Sequence, residues 1–255
     1  MIIRMSTREP TSRRIQAVDR AVAMLKVVAE APEPLALADL ADAVELNRST
    51  AWRLLLTLEH HGLVDRDPDA GRYVLGHEIV RLGMRGGNRA LVRRLRPALT
   101  DLANASGMAA ILVVPTPTEP LTVDQVDPPG RPEPNMVGWG LPLHATASGK
   151  LWLASLPERE REEVLVQPLP RYTERTIVDP VALRRELEEI AESRVAVDRD
   201  EWDPGWSAVA TPVLRDGAVV AMIGVMATSM RFAEAPLATT VALARRAAAG
   251  AGSAL

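Results

Sequence analysis

The sequence predicts an α+β fold in two parts, a helical N-terminal part and a C-terminal part built of strands and helices. Up to about residue 61, apolar residues recur at helical spacing. From residue 109 onward, short β-branched runs such as Ala109–Val114 are interleaved irregularly with helical patterns. A mostly helical stretch over residues 77–106 separates the two parts. The irregular interleaving favours a mainly antiparallel sheet with helices packed on it over a regular βαβ repeat.

The N-terminal part is predicted to contain three helices in a recognisable order. The first covers residues 15–31 and stops at Pro32, because proline interrupts a helix. A short helix over 37–44 follows, then a turn of two residues, then a helix over 47–61. A helix, a short helix, a tight turn and a helix with a polar face form the order of a helix-turn-helix unit.

The third of these helices has two different faces. Asn47 can cap its start, and apolar residues at positions 51, 54, 55 and 58 form one buried stripe. This leaves Arg48, Ser49, Trp52 and Arg53 facing outward. Guanidinium groups and small hydroxyls match the phosphates and base edges of a DNA major groove, and a helix fits that groove. The pattern therefore predicts DNA binding.

A two-stranded wing is expected directly after that helix. Residues 63–66 and 72–75 are strand-like and flank a turn at 67–71 that contains proline, aspartate and glycine. Arg66 and Arg72 lie on these strands and are further candidates for DNA contacts. The region over residues 15–76 is thus predicted to be a winged helix-turn-helix domain.

The C-terminal part is predicted to hold five strands and four helices. The strands are expected at 109–114, 121–126, 195–198, 207–214 and 218–226, and the helices at 146–156, 158–165, 181–192 and 236–249. A linker helix over residues 77–96 is expected to join this second domain, residues 97–255, to the first.

Composition excludes several classes of protein. The chain has 255 residues and a net charge of −3, which argues neither for nor against nucleic acid, and residues 1–14 form a locally basic arm. We expect this arm to be flexible and to follow a phosphate backbone, the alternative being a solvated tail. The absence of cysteine excludes disulfides, iron–sulfur clusters and thiolate zinc sites. No signal peptide or membrane span is predicted, so we expect a cytoplasmic protein.

The sequence contains fragments of catalytic motifs but no complete one. Gly149-Lys150 resembles the end of a phosphate-binding loop, but His144 stands where that loop needs glycine. Ser148, His144 and Asp198 are the residue types of a hydrolytic triad, yet Ser148 lacks the glycine context of a nucleophile elbow. A zinc site is possible with four histidines but has no supporting pattern. We therefore predict no catalytic residues, no metal and no cofactor.

Several segments, taken in order, resemble one known family. They are VDRAVAMLKVVAEAPEPLALADLADAVELNRSTAWRLLLTLEHHGLVDRDPDAGRYVLG, LPLHATASGKLWLASLP, LPRYTERTIVDPVALRRELEEI and DRDEWDPGWSAVATPV. Together they resemble the IclR family of bacterial transcriptional regulators over nearly the whole chain. The resemblance implies a winged helix-turn-helix domain, a linker helix and a GAF-like domain for effector binding and oligomerisation. It also implies homodimers or homotetramers, on palindromic double-stranded operator DNA.

The resemblance also implies site residues. In the N-terminal domain Ser49, Thr50, Trp52 and Arg53 match groove-facing positions of the family. In the C-terminal domain a carboxylate effector would meet the N–H groups of Ala147 and Ser148, at the start of a helix. Further effector positions by the same resemblance are Asp198, Ala208, Gly224 and Met226, with Met136, Trp139 and Leu143 as lining from a loop.

Three of these positions depart from the family's pattern. Ala208 stands where many members have cysteine, and Gly224 and Met226 stand where some have serine. Fewer polar side chains favour an effector acid with an apolar or aromatic body. The prediction is a DNA-binding regulator that responds to such an acid; the alternative is a metabolite sensor that acts on protein partners and uses its helix-turn-helix for dimerisation. For Asp198 and His144, structural hydrogen bonding stays open as the alternative to effector contact.

Overall fold

The computed structural model describes residues 15–67, 70–85, 88–116 and 118–253. The expected basic arm, residues 1–14, and part of the expected wing turn lie outside the described residues. The chain divides into two compact units, Met1–Gly86 and Gly87–Leu255.

The N-terminal unit has the predicted winged helix-turn-helix order. Asn47 caps the third helix, since its side chain accepts hydrogen bonds from the Thr50 amide and the Ser49 hydroxyl, both at 2.8 Å. The wing strands are antiparallel, with Val64 opposite Leu75. The elements are α1 (Gln16–Glu30), α2 (Leu37–Ala43), α3 (Arg48–His60), β1 (Val64–Arg66), β2 (Tyr73–Leu75) and α4 (His77–Arg85).

One small core holds this unit together. Met24 of α1, Leu40 of α2 and Leu55 of α3 are fully buried in it, and Tyr73 joins them from the wing. Main-chain hydrogen bonds between Leu35 and Tyr73 tie the wing to the segment before α2. Because α3 and the wing share this core, their outer surfaces are positioned by the same packing.

The C-terminal unit contains a five-stranded sheet in the order β4-β3-β7-β6-β5. Every pairing within this sheet is antiparallel, which confirms the predicted fold class. The short helix α9 was not predicted. The elements are α5 (Arg89–Ser106), β3 (Ala109–Val114), β4 (Leu121–Val126), α6 (Ala147–Ser155), α7 (Glu158–Leu165), α8 (Pro180–Ser193), β5 (Ala196–Arg199), β6 (Trp206–Arg215), β7 (Ala218–Thr228), α9 (Ser229–Glu234) and α10 (Leu237–Ser253).

Helices cover both faces of the sheet. On one face α5 and α10 pack against residues such as Leu112 and Ile223. On the other face α6 and α8 pack against Ile111 and Met222, the immediate neighbours of those residues along the strands. This alternation is the period-2 pattern of a strand buried on both sides. The sheet is therefore the middle of three layers.

The expected linker helix over 77–96 corresponds to parts of two helices. α4 ends at Arg85, and α5 begins at Arg89. Leu95 and Leu99 of α5 are completely buried in the core of the C-terminal unit. The second half of the expected linker thus belongs to the second unit, because its apolar residues recur every four positions and face the sheet.

Candidate functional site

The outer surface of α3 presents the predicted polar residues. Arg48, Ser49 and Arg53 are exposed, Thr50 is half-buried, and the Trp52 side chain is 46% exposed. Among the described residues Arg53 forms no ion pair with Glu59, Asp65 or any other carboxylate. The exposure of Trp52 also excludes it from the core of this unit.

The wing arginines have structural contacts as well as exposure. The Arg66 Nε donates to the Gly71 carbonyl oxygen at 3.4 Å, and its guanidinium lies 5.7 Å from the centre of the Tyr73 ring. Arg72 donates to the Pro34 carbonyl oxygen at 2.9 Å. Both side chains therefore stabilise the wing, and both remain accessible to a phosphate.

The C-terminal unit contains a cavity of about 380 Å³ beside the start of α6. A groove of about 490 Å³ at the other end of α6 is larger and more open to solvent. Only the smaller of these two combines mostly apolar walls with buried polar groups, so we take it as the candidate binding site. Its lining is Ile111, Thr122, Pro134, Asn135, Met136, Trp139, Leu141, Thr146, Ala147, Ser148, Asp198, Trp202, Asp203, Trp206, Ser207, Ala208 and Met226.

The floor of the cavity is a row of residues that crosses the sheet. Asp198 on β5 is paired with Ala208 on β6, which is paired with Met226 on β7. Directly paired residues point to the same face of a sheet. Ile111 on β3 and Thr122 on β4 belong to other rows of pairs and also line the cavity. Each of the five strands thus contributes at least one residue to the lining.

The first turn of α6 forms one wall. Thr146 caps the helix: its hydroxyl accepts from the Gly149 amide at 3.0 Å and donates to the Pro142 carbonyl oxygen at 2.9 Å. A Cβ at Gly149 would collide with that same carbonyl, so only glycine permits this close approach. The N–H groups of Ala147 and Ser148 find no acceptor in the described part of the chain. Two unpaired donors at a helix start favour an anion there.

A buried ion-pair cluster supports α6 from behind. Lys150 is completely buried, and its Nζ lies 2.6 Å from a Glu186 oxygen and 2.6 and 2.8 Å from the two oxygens of Glu201. The hydroxyls of Thr173 and Thr176 donate to the carbonyl oxygens of Asp200 and Glu201, each at 2.6 Å. These bonds fasten the loop between β5 and β6, which supplies several cavity residues.

Asp198 and His144 each have a hydrogen-bond partner of their own in the protein. Asp198 accepts a hydrogen bond from the Glu201 amide at 2.9 Å, and burial raises the pKa of its carboxyl to about 7, with the charge of Glu201 adding to the effect. The His144 Nε2 lies 2.8 Å from the Pro170 carbonyl oxygen, and burial lowers its pKa. His144 does not line the cavity. Each side chain has a structural partner, and the residue types of a triad are not assembled.

The structure brings most of the predicted effector residues together. Trp139, Ala147, Ser148, Asp198, Ala208 and Met226 line the cavity, as does Met136. Leu143 does not: it packs into the core between α6 and α8. Gly224 also lies outside the lining. A Cβ at this position would collide with the carbonyl oxygen of Val209 on the neighbouring strand. The glycine serves strand packing, so its replacement of a serine says nothing about cavity polarity.

Sequence reasoning missed ten of the seventeen residues that line the cavity, among them two tryptophans and two hydroxyl residues. Trp202 and Trp206 lie in the DRDEWDPGW segment, whose aromatic residues were a signal that could have been used. Trp202 meets Trp139 edge to face, with ring centres 6.3 Å apart. Thr122 and Ser207 carry no motif, because strand periodicity predicts a face and does not predict a cavity.

Two family models match the chain. Residues 17–68 match the IclR helix-turn-helix domain, and residues 80–251 match the C-terminal domain of the bacterial transcriptional regulator IclR. The chain belongs to the IclR family. The resemblance noted in the sequence is thereby confirmed, and the protein is a helix-turn-helix regulator of transcription rather than a member of an enzyme family.

Individual IclR-family proteins match over most of their length. The HTH-type transcriptional regulator Rv1719 of Mycobacterium tuberculosis is 36% identical over 87% of this chain and 85% of its own. The regulator XynR of Escherichia coli is 30% identical over 88% and 90%.

Solved structures show the same architecture. An IclR regulator from Alicyclobacillus acidocaldarius superposes with a TM-score of 0.83 at 27% identity, covering 94% of this chain and 99% of that one. An IclR homologue from Microbacterium hydrocarbonoxydans, solved as a complex with 4-hydroxybenzoate, gives 0.82 at 25% identity, with 94% and 98% coverage.

Two negative findings apply to the described parts of this IclR-family chain. Within them, no helix is both long and apolar enough to cross a membrane. The same residues contain no group of three or more histidine, aspartate or glutamate side chains that could hold a metal ion.

Proposed function

We propose that this protein binds operator DNA through α3 and the wing, and that a small organic acid with an apolar or aromatic body modulates this binding. The observation that carries the proposal is the cavity, in which two unpaired N–H groups at the start of α6 face mostly apolar walls. The complex of the Microbacterium homologue with 4-hydroxybenzoate, an acid of that class, supports it.

The chemistry of the walls defines how such an acid would bind. Its carboxylate would accept from the amides of Ala147 and Ser148, where the helix dipole favours negative charge. Its ring would pack among Met226 and the paired indoles of Trp139 and Trp202. The carboxyl of Asp198 also lines the cavity, and in its charged form it would repel the carboxylate of the acid.

Asp198 avoids much of that repulsion. Burial raises the pKa of this carboxyl to about 7, so near neutral pH a large fraction of it is uncharged. An uncharged carboxyl can donate a hydrogen bond as well as accept one. The site can therefore hold an anionic ligand beside Asp198.

Coupling to DNA needs at least two reader domains. We propose a homodimer or a dimer of dimers on a palindromic operator, in the cytoplasm where the chromosome lies. Acid binding would change the relative placement of the α3 helices, so that their spacing no longer fits the two half-sites. A coupling free energy of about 1–3 kcal/mol is sufficient for such a response.

A panel of acids tests the ligand class by thermal shift. Benzoate and cyclohexanecarboxylate should raise the melting temperature in a concentration-dependent way, because they bind only the folded state. Glyoxylate and pyruvate, which are small and polar, serve as the comparison. A shift produced by these two keto acids alone would show that the argument from the apolar walls is wrong.

The DNA part is tested by salt dependence. Binding of the full chain to a promoter fragment should weaken steeply as salt rises, since lysines and arginines displace counterions from phosphates. A protein that used its helix-turn-helix for dimerisation alone would bind that fragment neither tightly nor with such a slope.

A further inference from the structure

The cavity beside the start of α6 is lined by acidic side chains and by no basic one. Asp198 and Asp203 are in its lining, whereas no lysine, arginine or histidine of the described chain is. The buried Lys150 lies outside the lining and is bonded to Glu186 and Glu201. A carboxylate therefore has its favourable place at the unpaired amides of α6, while the charged side chains elsewhere in the lining are negative.

Three of the five tryptophans of the chain line this same cavity. Trp202 meets Trp139 edge to face, with ring centres 6.3 Å apart, and Trp206 is the third. Trp202, Asp203 and Trp206 come from one turn, in which the Trp206 amide donates to the Asp203 carbonyl oxygen at 3.1 Å. The face of an indole is negative and attracts cations more strongly than the other aromatic rings do. A carboxylate and indoles on one turn thus favour a positively charged group.

The carboxylate of Asp203 is available to a ligand. Its side chain is exposed, and it makes no hydrogen bond or ion pair with any described residue. Asp198, in contrast, is 6% exposed and accepts a hydrogen bond from the Glu201 amide. Asp200 is paired with Arg175 at 3.2 Å. Of the three aspartates between residues 198 and 203, only Asp203 has a carboxylate without a partner in the described part of the chain.

The cavity has a buried end and an open end. Ala147 and Ser148, whose amides are unpaired, are 2% and 3% exposed. At the other end Trp139 is 55% exposed, and Asp203 is exposed as well. A volume of about 380 Å³ is near the lower limit for ligand sites, so one small molecule that fills the cavity would touch both ends. Such a molecule would hold its carboxylate at the buried end and a positive group at the mouth.

We propose that the effector carries an amino or quaternary ammonium group in addition to its carboxylate, and that Asp203 and the three indoles bind this cation at the mouth of the cavity. This inference rests on the proposed function, because it places the carboxylate at the start of α6. It narrows the ligand class from organic acids to zwitterions with an apolar body. The cation gains attraction to the indole faces and a charge-assisted contact with Asp203, whereas a neutral substituent gains neither.

Calorimetric titration of 4-(aminomethyl)benzoate and 4-ethylbenzoate into the full chain tests the proposal. The two acids have the same arrangement of non-hydrogen atoms, and they differ in the ammonium that replaces a methyl group. The wild type should bind the ammonium compound about 5- to 30-fold more tightly. Asp203→Asn keeps the size of the side chain, removes its charge and should reduce this preference to below about threefold. The control Asp216→Asn removes an exposed charge between β6 and β7, at the end of β6 opposite Trp206, and should retain the preference.

The outcomes separate the cation site from the acid site. Equal or tighter binding of 4-ethylbenzoate by the wild type overturns the cation site and leaves the acid site intact. So does a preference that Asp203→Asn leaves unchanged, or one that Asp216→Asn reduces as much as Asp203→Asn does.

Two further results bear on the carboxylate end. Failure of the wild type to bind either compound overturns the proposed ligand class together with this inference. Benzylamine, which has the ammonium but no carboxylate, should bind at least about tenfold more weakly than 4-(aminomethyl)benzoate. Equal affinity for these two amines would show that the carboxylate contact at α6 is wrong, and with it the zwitterionic ligand.

Discussion

The buried lysine behind α6 gives the sharpest stability prediction, for the substitution Lys150→Met. The change keeps a long apolar stem and removes a fully buried charge. Glu201, whose side chain is 10% exposed, would lose the ammonium that lies 2.6 Å away. Glu186 is 27% exposed and can be hydrated instead.

The expected loss in the free energy of unfolding is about 3–5 kcal/mol, the cost of leaving one partner of a buried pair uncompensated. Burial already raises the pKa of Glu201, and Lys150 acts against that rise. Without Lys150 the folded state holds a proton on Glu201 up to higher pH, whereas the unfolded state releases it. The deficit of the variant should therefore be larger at pH 8 than at pH 5.

Urea unfolding of the full chain, followed by tryptophan fluorescence, measures this loss. Four of the five tryptophans lie in the C-terminal unit. Adding Glu201→Gln to Lys150→Met removes both charges and should recover most of the deficit. The control Arg184→Met breaks an ion pair whose side chains are 38% and 37% exposed, and should cost at most about 1 kcal/mol. A Lys150→Met deficit no larger than that of Arg184→Met would refute the reasoning.

Three further predictions concern the reader helix, the cavity and the sheet. Arg53→Ala should weaken operator binding by about 1–3 kcal/mol in a gel-shift titration, and unchanged affinity would exclude it from the contact surface. Burial raises the pKa of Asp198 from 3.8 to about 7, so its contribution to stability is lost as pH rises through that interval. The difference in melting temperature between Asp198→Asn and the wild type should therefore change in favour of the variant from pH 4 to pH 7. A difference that stays constant over this range would contradict the raised pKa of Asp198. Gly224→Ser should destabilise the fold by about 1–3 kcal/mol, because its Cβ meets the Val209 carbonyl oxygen; an unchanged melting temperature would show that the strands can separate.

The elements that the sequence predicted best are those defined by local pattern. The strands β3 and β4 were predicted to the residue, because apolar and β-branched runs there are bounded by glycine or proline. The capped start of α3 and its outward face also follow from residues within one segment. Local signals of this kind need no knowledge of the rest of the fold.

Features that depend on distant partners could not be predicted. Lys150 finds its carboxylates 36 and 51 residues along the chain, so nothing near it in sequence announces a buried charge. The role of Gly224 could not be predicted for the same reason: its packing against Val209 exists only after β6 and β7 have paired. The place of Thr122 depends on its register opposite Val113, next to an irregularity in β3.

The coupling between acid binding and DNA binding is tested most directly by the affinity of the protein for DNA with and without an acid in the cavity. Fluorescence anisotropy of a labelled fragment from upstream of its gene would be measured at fixed salt, with 4-hydroxybenzoate absent or saturating. We expect the acid to change the dissociation constant for DNA by about 5- to 150-fold. An acid that binds the protein and leaves the DNA affinity unchanged would contradict it.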